Sequence, residues 1–208
     1  MFDLCLWVLF GFLCGSVPWA LIITRISTGK DVRTIGDGNP GTVNAWKIGG
    51  WIPGSISLIL DVGKGVLPVH LAASQIHVSP GEANTDIGMA MIALSPIFGH
   101  AWSPFLMFKG GKALAVSWGS WIAITKGLAI PVSFLLLGFM HVLQKNHAIT
   151  VTFCLVLFIA IFFPLYPQPF IVLLWLGNCS VLIYKHKYEY SEGIIFRQWV
   201  YSIGSRLT

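Results

Sequence analysis

The sequence predicts an all-α integral membrane protein of about seven transmembrane helices, N-terminus outside and C-terminus inside. Three observations predict it. Hydrophobic residues make up 55% of the 208, charged residues only 10%, and the mean hydropathy is +0.76. A soluble domain carries about a quarter charged residues, and one globule of this size cannot hide so much apolar surface. Apolar runs long enough to cross roughly 30 Å of hydrocarbon recur along the chain. Positive charge is confined almost wholly to alternate loops, which marks the inward-facing side of a membrane protein.

The first run covers about residues 2–26. It lacks a basic start and a small-residue cleavage site, and Asp3 stands where a removable leader is positive, so it is expected to be retained. Gly11 and Gly15 have the spacing that lets helices approach closely. Gly15-Ser16-Val17-Pro18 predicts a bend. A polar, glycine-rich loop follows over 27–50; its isolated proline, paired asparagines and mixed composition favour a functional loop over a plain linker.

The second run, about 51–74, contains Asp61-Val62-Gly63-Lys64-Gly65. Asp61 and Lys64 are three apart, share a helix face and can pair. Charges at membrane depth face a cavity or each other. A split helix aiming its end at a ligand is the alternative. A loop over 75–86 has no Lys or Arg. The third run, about 87–107, carries Pro96 and Pro104 as expected kinks. The fourth, about 113–125, is short, with an expected break at Gly119. Runs at about 128–143, 149–164 and 170–184 complete the set. The basic tail, 185–208, includes a weakly amphipathic stretch at 194–203 suited to lie on headgroups.

Loops after the first, third and fifth runs, with the tail, hold Arg25, Lys30, Arg33, Lys47, Lys109, Lys112, Lys145, Lys185, Lys187, Arg197 and Arg206. Loops after the others hold only Lys126. Loops 27–50 and 108–112 and the tail are therefore expected in the cytoplasm, within one polytopic domain spanning 1–208. The net charge of +5 belongs to this loop pattern and not to a nucleic-acid surface. No internal repeat appears, which disfavours a transporter of inverted halves. Cys5, Cys14, Cys154 and Cys179 lie in apolar runs without paired spacing and read as reduced packing residues.

Chemistry concentrates in two stretches. Phe108-Lys109-Gly110-Gly111-Lys112 separates two apolar segments; a Gly-Gly pair can turn its N–H groups to one point, and flanking ammonium groups would complete an anion cradle. Gly36-Asp37-Gly38-Asn39-Pro40-Gly41-Thr42-Val43-Asn44, between Arg33 and Lys47, has similar chemistry. The candidate donors are Arg33, Asn39, Asn44, Lys47, Lys64, His100, Lys109, Lys112 and His186, a set suited to a dianionic phosphate. His70, His77, His141 and His147 read as structural or interfacial. No GxxxxGK[ST], HExxH, Cys/His cluster or GxSxG occurs, which disfavours ATP hydrolysis, catalytic zinc and a serine nucleophile.

Gly15-Ser16-Val17-Pro18, the GxGNPGxxN loop, DxxKG at Asp61 to Gly65 and GHxxxPFxxFKGGK from Gly99 to Lys112 together resemble the bacterial acyl-phosphate-dependent glycerol-3-phosphate acyltransferases. The likeness is good from Gly15 to about Gly119 and reaches the tail at His186. It implies a seven-span inner-membrane enzyme with its site facing the cytoplasm. The implied donor is a fatty acyl phosphate, the acceptor the 1-hydroxyl of sn-glycerol 3-phosphate, and the product lysophosphatidic acid. It implies no cofactor or metal, membrane lipids as surroundings, no nucleic-acid partner, and a monomer as the working unit. On this resemblance Lys112, His186, Lys47 and Asp37 are assigned to catalysis. Arg33, Gly38, Asn39, Gly41, Asn44, Asp61, Lys64, His100, Lys109, Gly110 and Gly111 are assigned to substrate and phosphate binding. A donor carrying its own leaving group needs positioning and charge stabilisation more than a protein nucleophile.

The chain departs from the family's pattern at named positions. Asp37 stands where the family has Ser, Thr42-Val43 where it has Ala-Thr, Lys47 where it has Arg, and Glu189 where it has Asn. Arg33 or Lys47 is the expected partner for the Asp37 carboxylate, which otherwise repels phosphate; a general-base role for Asp37 is the alternative. Competing readings are a same-fold acyltransferase with another acceptor, a carrier for a phosphorylated anion, and an inactive scaffolding paralogue.

Overall fold

A computed structural model describes residues 2–76 and 83–199. Nine α-helices account for most of the described residues: α1 Phe2–Ser16, α2 Trp19–Thr28, α3 Thr42–Gly49, α4 Trp51–Gln75, α5 Ala83–Ala101, α6 Leu114–Ile124, α7 Ala129–Leu143, α8 His147–Leu165 and α9 Pro169–Lys185. The described residues contain no strand, only one bridge between Gln144 and Phe196. Among the described residues, four segments are long and apolar enough to cross a membrane: Asp3–Thr28, Trp51–Gln75, Asn84–Leu106 and His147–Leu165. Leu114–Ile124, Ala129–Leu143 and Pro169–Lys185 are shorter apolar helices. His77 and the part of the amphipathic tail beyond 199, with Arg206, lie outside the described residues.

The first apolar run breaks where the sequence placed a bend. Pro18 has no N–H to continue the ladder, so α1 ends at Ser16 and α2 begins at Trp19. The carbonyls freed by the break find new donors. Ser103 Oγ donates to the Ser16 oxygen at 2.6 Å, and Lys64 Nζ donates to the Val17 oxygen at 2.7 Å. Below the break, α1 lies directly on α5: a Cβ at Gly15 would overlap the Pro96 backbone.

Two sequence expectations need correction. The split-helix alternative fails, because α4 runs unbroken through Gly63 and Gly65. The break expected at Gly119 is also absent, because α6 continues through it. Both glycines serve approach instead: a Cβ at Gly119 would overlap the Val62 carbonyl, and one at Gly65 would overlap the Val116 carbonyl. Neighbouring helices tolerate glycine where backbones must meet.

The loop over 27–50 is ordered. It holds a 3₁₀ turn, Val32–Thr34, and the unforeseen helix α3. Ala20, Val32 and Ala45 form a small buried cluster that fastens this region to α2. A larger core between α4, α5, α6, α8 and α9 centres on Trp121, Phe158, Phe162 and Leu174. Polar groups pair within it: Asn178 accepts from Trp121 Nε1 at 3.0 Å and donates to Ser117 Oγ at 2.8 Å.

Candidate active site

Asn44 organises the glycine-rich loop. It is buried, and its amide nitrogen lies 3.2 Å from the Ile35 carbonyl, 2.9 Å from Asp37 Oδ1 and 3.0 Å from the Asn39 carbonyl. Gly38 takes φ +70°, the left-handed region, and donates its N–H to the Ile35 carbonyl at 3.1 Å. Thr42 Oγ1 reaches Asp61 Oδ2 at 3.4 Å, tying the loop to α4.

The loop faces a cavity of about 860 Å³. Asp37, Asn39, Gly41, Asn44, Lys47, Asp61, His100, Lys112 and His186 line it, joined by His141, His147 and Glu189. Trp46, Leu58, Leu114, Trp118, Phe134 and Leu137 form its apolar wall. A second cavity of about 520 Å³ lies beside it, lined by Gly38, Lys109, Gly110 and Lys185 among others. Asp37, Asn39, Lys112, His186 and Glu189 line both, so they form the partition.

Lys112 stands at the centre of that partition. Its ammonium lies 2.5 Å from Asp37 Oδ2 and also pairs with Glu189 Oε1. The expected partner of Asp37, Arg33 or Lys47, is therefore corrected to Lys112. Burial opposes the Asp37 charge, but bonds from Lys112, the Asn39 N–H and Asn44 outweigh it and hold its pKa at about 2. For Lys112, partial burial works against the charged form, yet the two carboxylates raise its pKa overall.

His186 is buried, and its Nδ1–H donates to the Leu182 carbonyl at 2.8 Å. That bond leaves Nε2 with the lone pair, buried and without a hydrogen-bond partner among the described residues. Burial lowers the His186 pKa, favouring the neutral ring. The His147 ring lies 5.6 Å from that of His186 and 5.7 Å from that of His141. His141 and His147, expected to be structural or interfacial, line the cavity; the signal in the sequence is their position on either side of a short polar turn. Glu189 was noted only as a departure, yet it completes the lysine's coordination.

Three assigned phosphate ligands lie elsewhere. Arg33 is bound by Asp31, at 3.0 Å through Nε and 2.6 Å through NH2, and is not in the cavity lining. Lys64 is buried behind the lining, with Asp61 Oδ1 at 2.7 Å and the Val17 carbonyl as its partners. Gly111 donates its N–H into the protein, to the His100 carbonyl at 3.1 Å. The glycine pair is thus no open anion cradle: a Cβ on Gly110 would overlap the His100 carbonyl, and one on Gly111 would overlap the His100 ring. Lys185 clips this loop by donating to the Ala101 carbonyl at 2.7 Å and the Gly110 carbonyl at 3.0 Å. Lys47 is exposed at the cavity rim.

A family model described as glycerol-3-phosphate acyltransferase matches residues 5–194. Glycerol-3-phosphate acyltransferase 1 of Thermotoga maritima is 34% identical over 198 residues, covering 88% of this chain and 95% of that protein. The Clostridium acetobutylicum glycerol-3-phosphate acyltransferase is 32% identical over 187 residues, covering 86% and 90%. Among solved structures, the glycerol 3-phosphate form of PlsY (YgiH), an integral membrane glycerol 3-phosphate acyltransferase, superposes with a TM-score of 0.80 at 22% identity, covering 91% of this chain and 90% of that one. Its lysophosphatidic acid form gives 0.77.

Proposed function

Because this chain belongs to the glycerol-3-phosphate acyltransferase family, we propose that it moves a fatty acyl group from acyl phosphate to the 1-hydroxyl of sn-glycerol 3-phosphate. The products are lysophosphatidic acid and inorganic phosphate. One observation carries the reading: a single cavity has Lys112, Lys47, Asn44 and His186 at its polar end and an apolar wall of Trp46, Leu58, Trp118, Phe134 and Leu137. That arrangement suits a phosphate head joined to a lipid tail.

In this reading Lys112 and Lys47 hold substrate phosphate, and Asn44 keeps the loop in register. The acceptor oxygen forms a bond to the acyl carbon. The bond from that carbon to the phosphate oxygen breaks, and phosphate leaves with the electron pair. The acceptor's proton passes to phosphate, with His186 of the cavity lining as the proposed protein station. No protein nucleophile is required, since the mixed anhydride is already activated. The site opens to the cytoplasmic side of a bacterial inner membrane crossed seven times, with one chain as the working unit. The seven apolar segments and the one-sided positive charge support that placement.

The test is purified protein mixed with palmitoyl phosphate and labelled glycerol 3-phosphate. Lysophosphatidic acid and inorganic phosphate are expected in equal amounts. Absence of both overturns the reaction; inorganic phosphate alone indicates water or another acceptor.

A further inference from the structure

Lys112 lines both cavities at their partition, yet its ammonium is already paired. Asp37 and Glu189 both pair with its ammonium, one positive charge against two negative. A phosphate dianion arriving at Lys112 meets two like charges before it meets the lysine.

The two carboxylates are held differently. Asp37 Oδ1 also accepts from Asn44 at 2.9 Å and from the Asn39 N–H at 3.2 Å, so it stays fixed when Lys112 moves. The Glu189 carboxylate has only Lys112 as a side-chain partner among the described residues. Its backbone is secured separately: Asn146 donates to the Glu189 carbonyl at 2.8 Å, and the Glu189 N–H donates to the His186 carbonyl at 2.9 Å. The side chain can swing aside without unlocking the chain.

We propose that Asp37 and Glu189 compete with phosphate for Lys112, so that a phosphate group binds only by displacing Glu189 and leaves as Glu189 returns. This rests on the reading above, in which the cavity takes phosphate at Lys112. The ligand chemistry is a phosphate dianion, supplied by a substrate or by the inorganic phosphate product. The competition lowers affinity for both and keeps product phosphate from occupying the site.

The experiment uses the full chain in detergent micelles. Inorganic phosphate and glycerol 3-phosphate are titrated separately by calorimetry without acyl donor, and KM, kcat and product inhibition are then measured. Glu189→Gln is expected to tighten binding of both anions by about tenfold. Inhibition by inorganic phosphate should strengthen by a similar factor, and kcat should fall along with KM because phosphate leaves slowly. Asp37→Asn should shift both affinities in the same direction. Unchanged or weaker binding in variants that melt like the wild type overturns the proposal, since the carboxylates would then be ligands or supports. Should Glu189→Gln melt early, Glu189→Asp carries the same test with its carboxylate drawn back by one methylene. Tighter phosphate binding with no acyl transfer in any form would uphold the competition and overturn the reaction. Normal transfer with unmoved affinities would do the reverse.

Discussion

Lys64 and Lys112 both sit beside carboxylates, yet they obey different physics. Lys64 is 3% exposed, paired with Asp61, and donates to the Val17 carbonyl at the break between α1 and α2. Removing it would leave the buried Asp61 carboxylate without its charged partner. Lys64→Ala should therefore destabilise the fold by about 3 kcal/mol, read as an early thermal melt. The Lys112 side chain is 24% exposed and faces two cavities. Lys112→Ala should melt near the wild type while turnover falls by at least about 100-fold, as expected when a charge-stabilising donor is lost. The opposite pattern, a stable Lys64 variant and an active Lys112 variant, would exchange their roles. His186 gives a pH signature with a definite sign. Burial lowers its pKa below the ordinary value of about 6.5, so the unfolded chain binds its proton more readily than the folded one. The stability this group supplies is full above that value and is lost as pH falls through the folded pKa. Melting temperatures from pH 7 downward should fall more steeply for the wild type than for His186→Gln.

At the level of elements, the site depends on α4 and α6 lying backbone to backbone. Asp61 projects from α4, and Lys112 lies two residues before α6 begins at Leu114. Gly65 and Gly119 meet between them, each against the other helix's carbonyl. Gly119→Ala should force the pair apart, costing about 2 kcal/mol in stability. It should also raise KM for both substrates, because Lys112 shifts relative to Asp61. A wild-type melt and wild-type kinetics together would show that the approach is not needed. The sequence made Gly119 look like a break because glycine weakens a water-exposed helix; between packed apolar helices the same residue is what allows contact. The Asp61–Lys64 pair was legible because three-residue spacing fixes a helical face without knowledge of neighbours. Helix α3 was not, since its eight residues owe their helicity to packing of Ala45 against Ala20 and Val32. Glu189 and His147 escaped for a related reason: which residues of distant hairpins share a wall is decided by tertiary packing, not by spacing.

For the whole molecule, hydropathy made the class legible, and the apolar helices fall where the runs were read. Crossing number is harder, because it turns on length. At 1.5 Å per residue the 11 residues of α6 extend about 16 Å, roughly half the hydrocarbon thickness. Yet α6 buries Val116, Ser117, Gly119, Ser120 and Trp121 within the bundle, and Ala113 and Thr125 flanking its two ends are buried as well, so the bundle encloses it. A short, enclosed helix can complete a crossing with the irregular chain on either side. The positive charges support that path: Lys126 stands alone beyond α6, whereas Lys109, Lys112 and Lys145 flank the neighbouring loops. If α6 crosses, residue 126 and residue 145 face opposite compartments. If it turns back while α7 still crosses, they exchange compartments, residue 126 inside and residue 145 outside. Single cysteines at Lys126 and Lys145, in a background with the four native cysteines replaced by serine or alanine, decide between the two. A membrane-impermeant maleimide applied to intact spheroplasts should label Lys126→Cys and should reach Lys145→Cys only after permeabilisation. Protection of position 126 in intact cells would leave six crossings, put both termini on one side, and require the orientation of the active site to be assigned afresh.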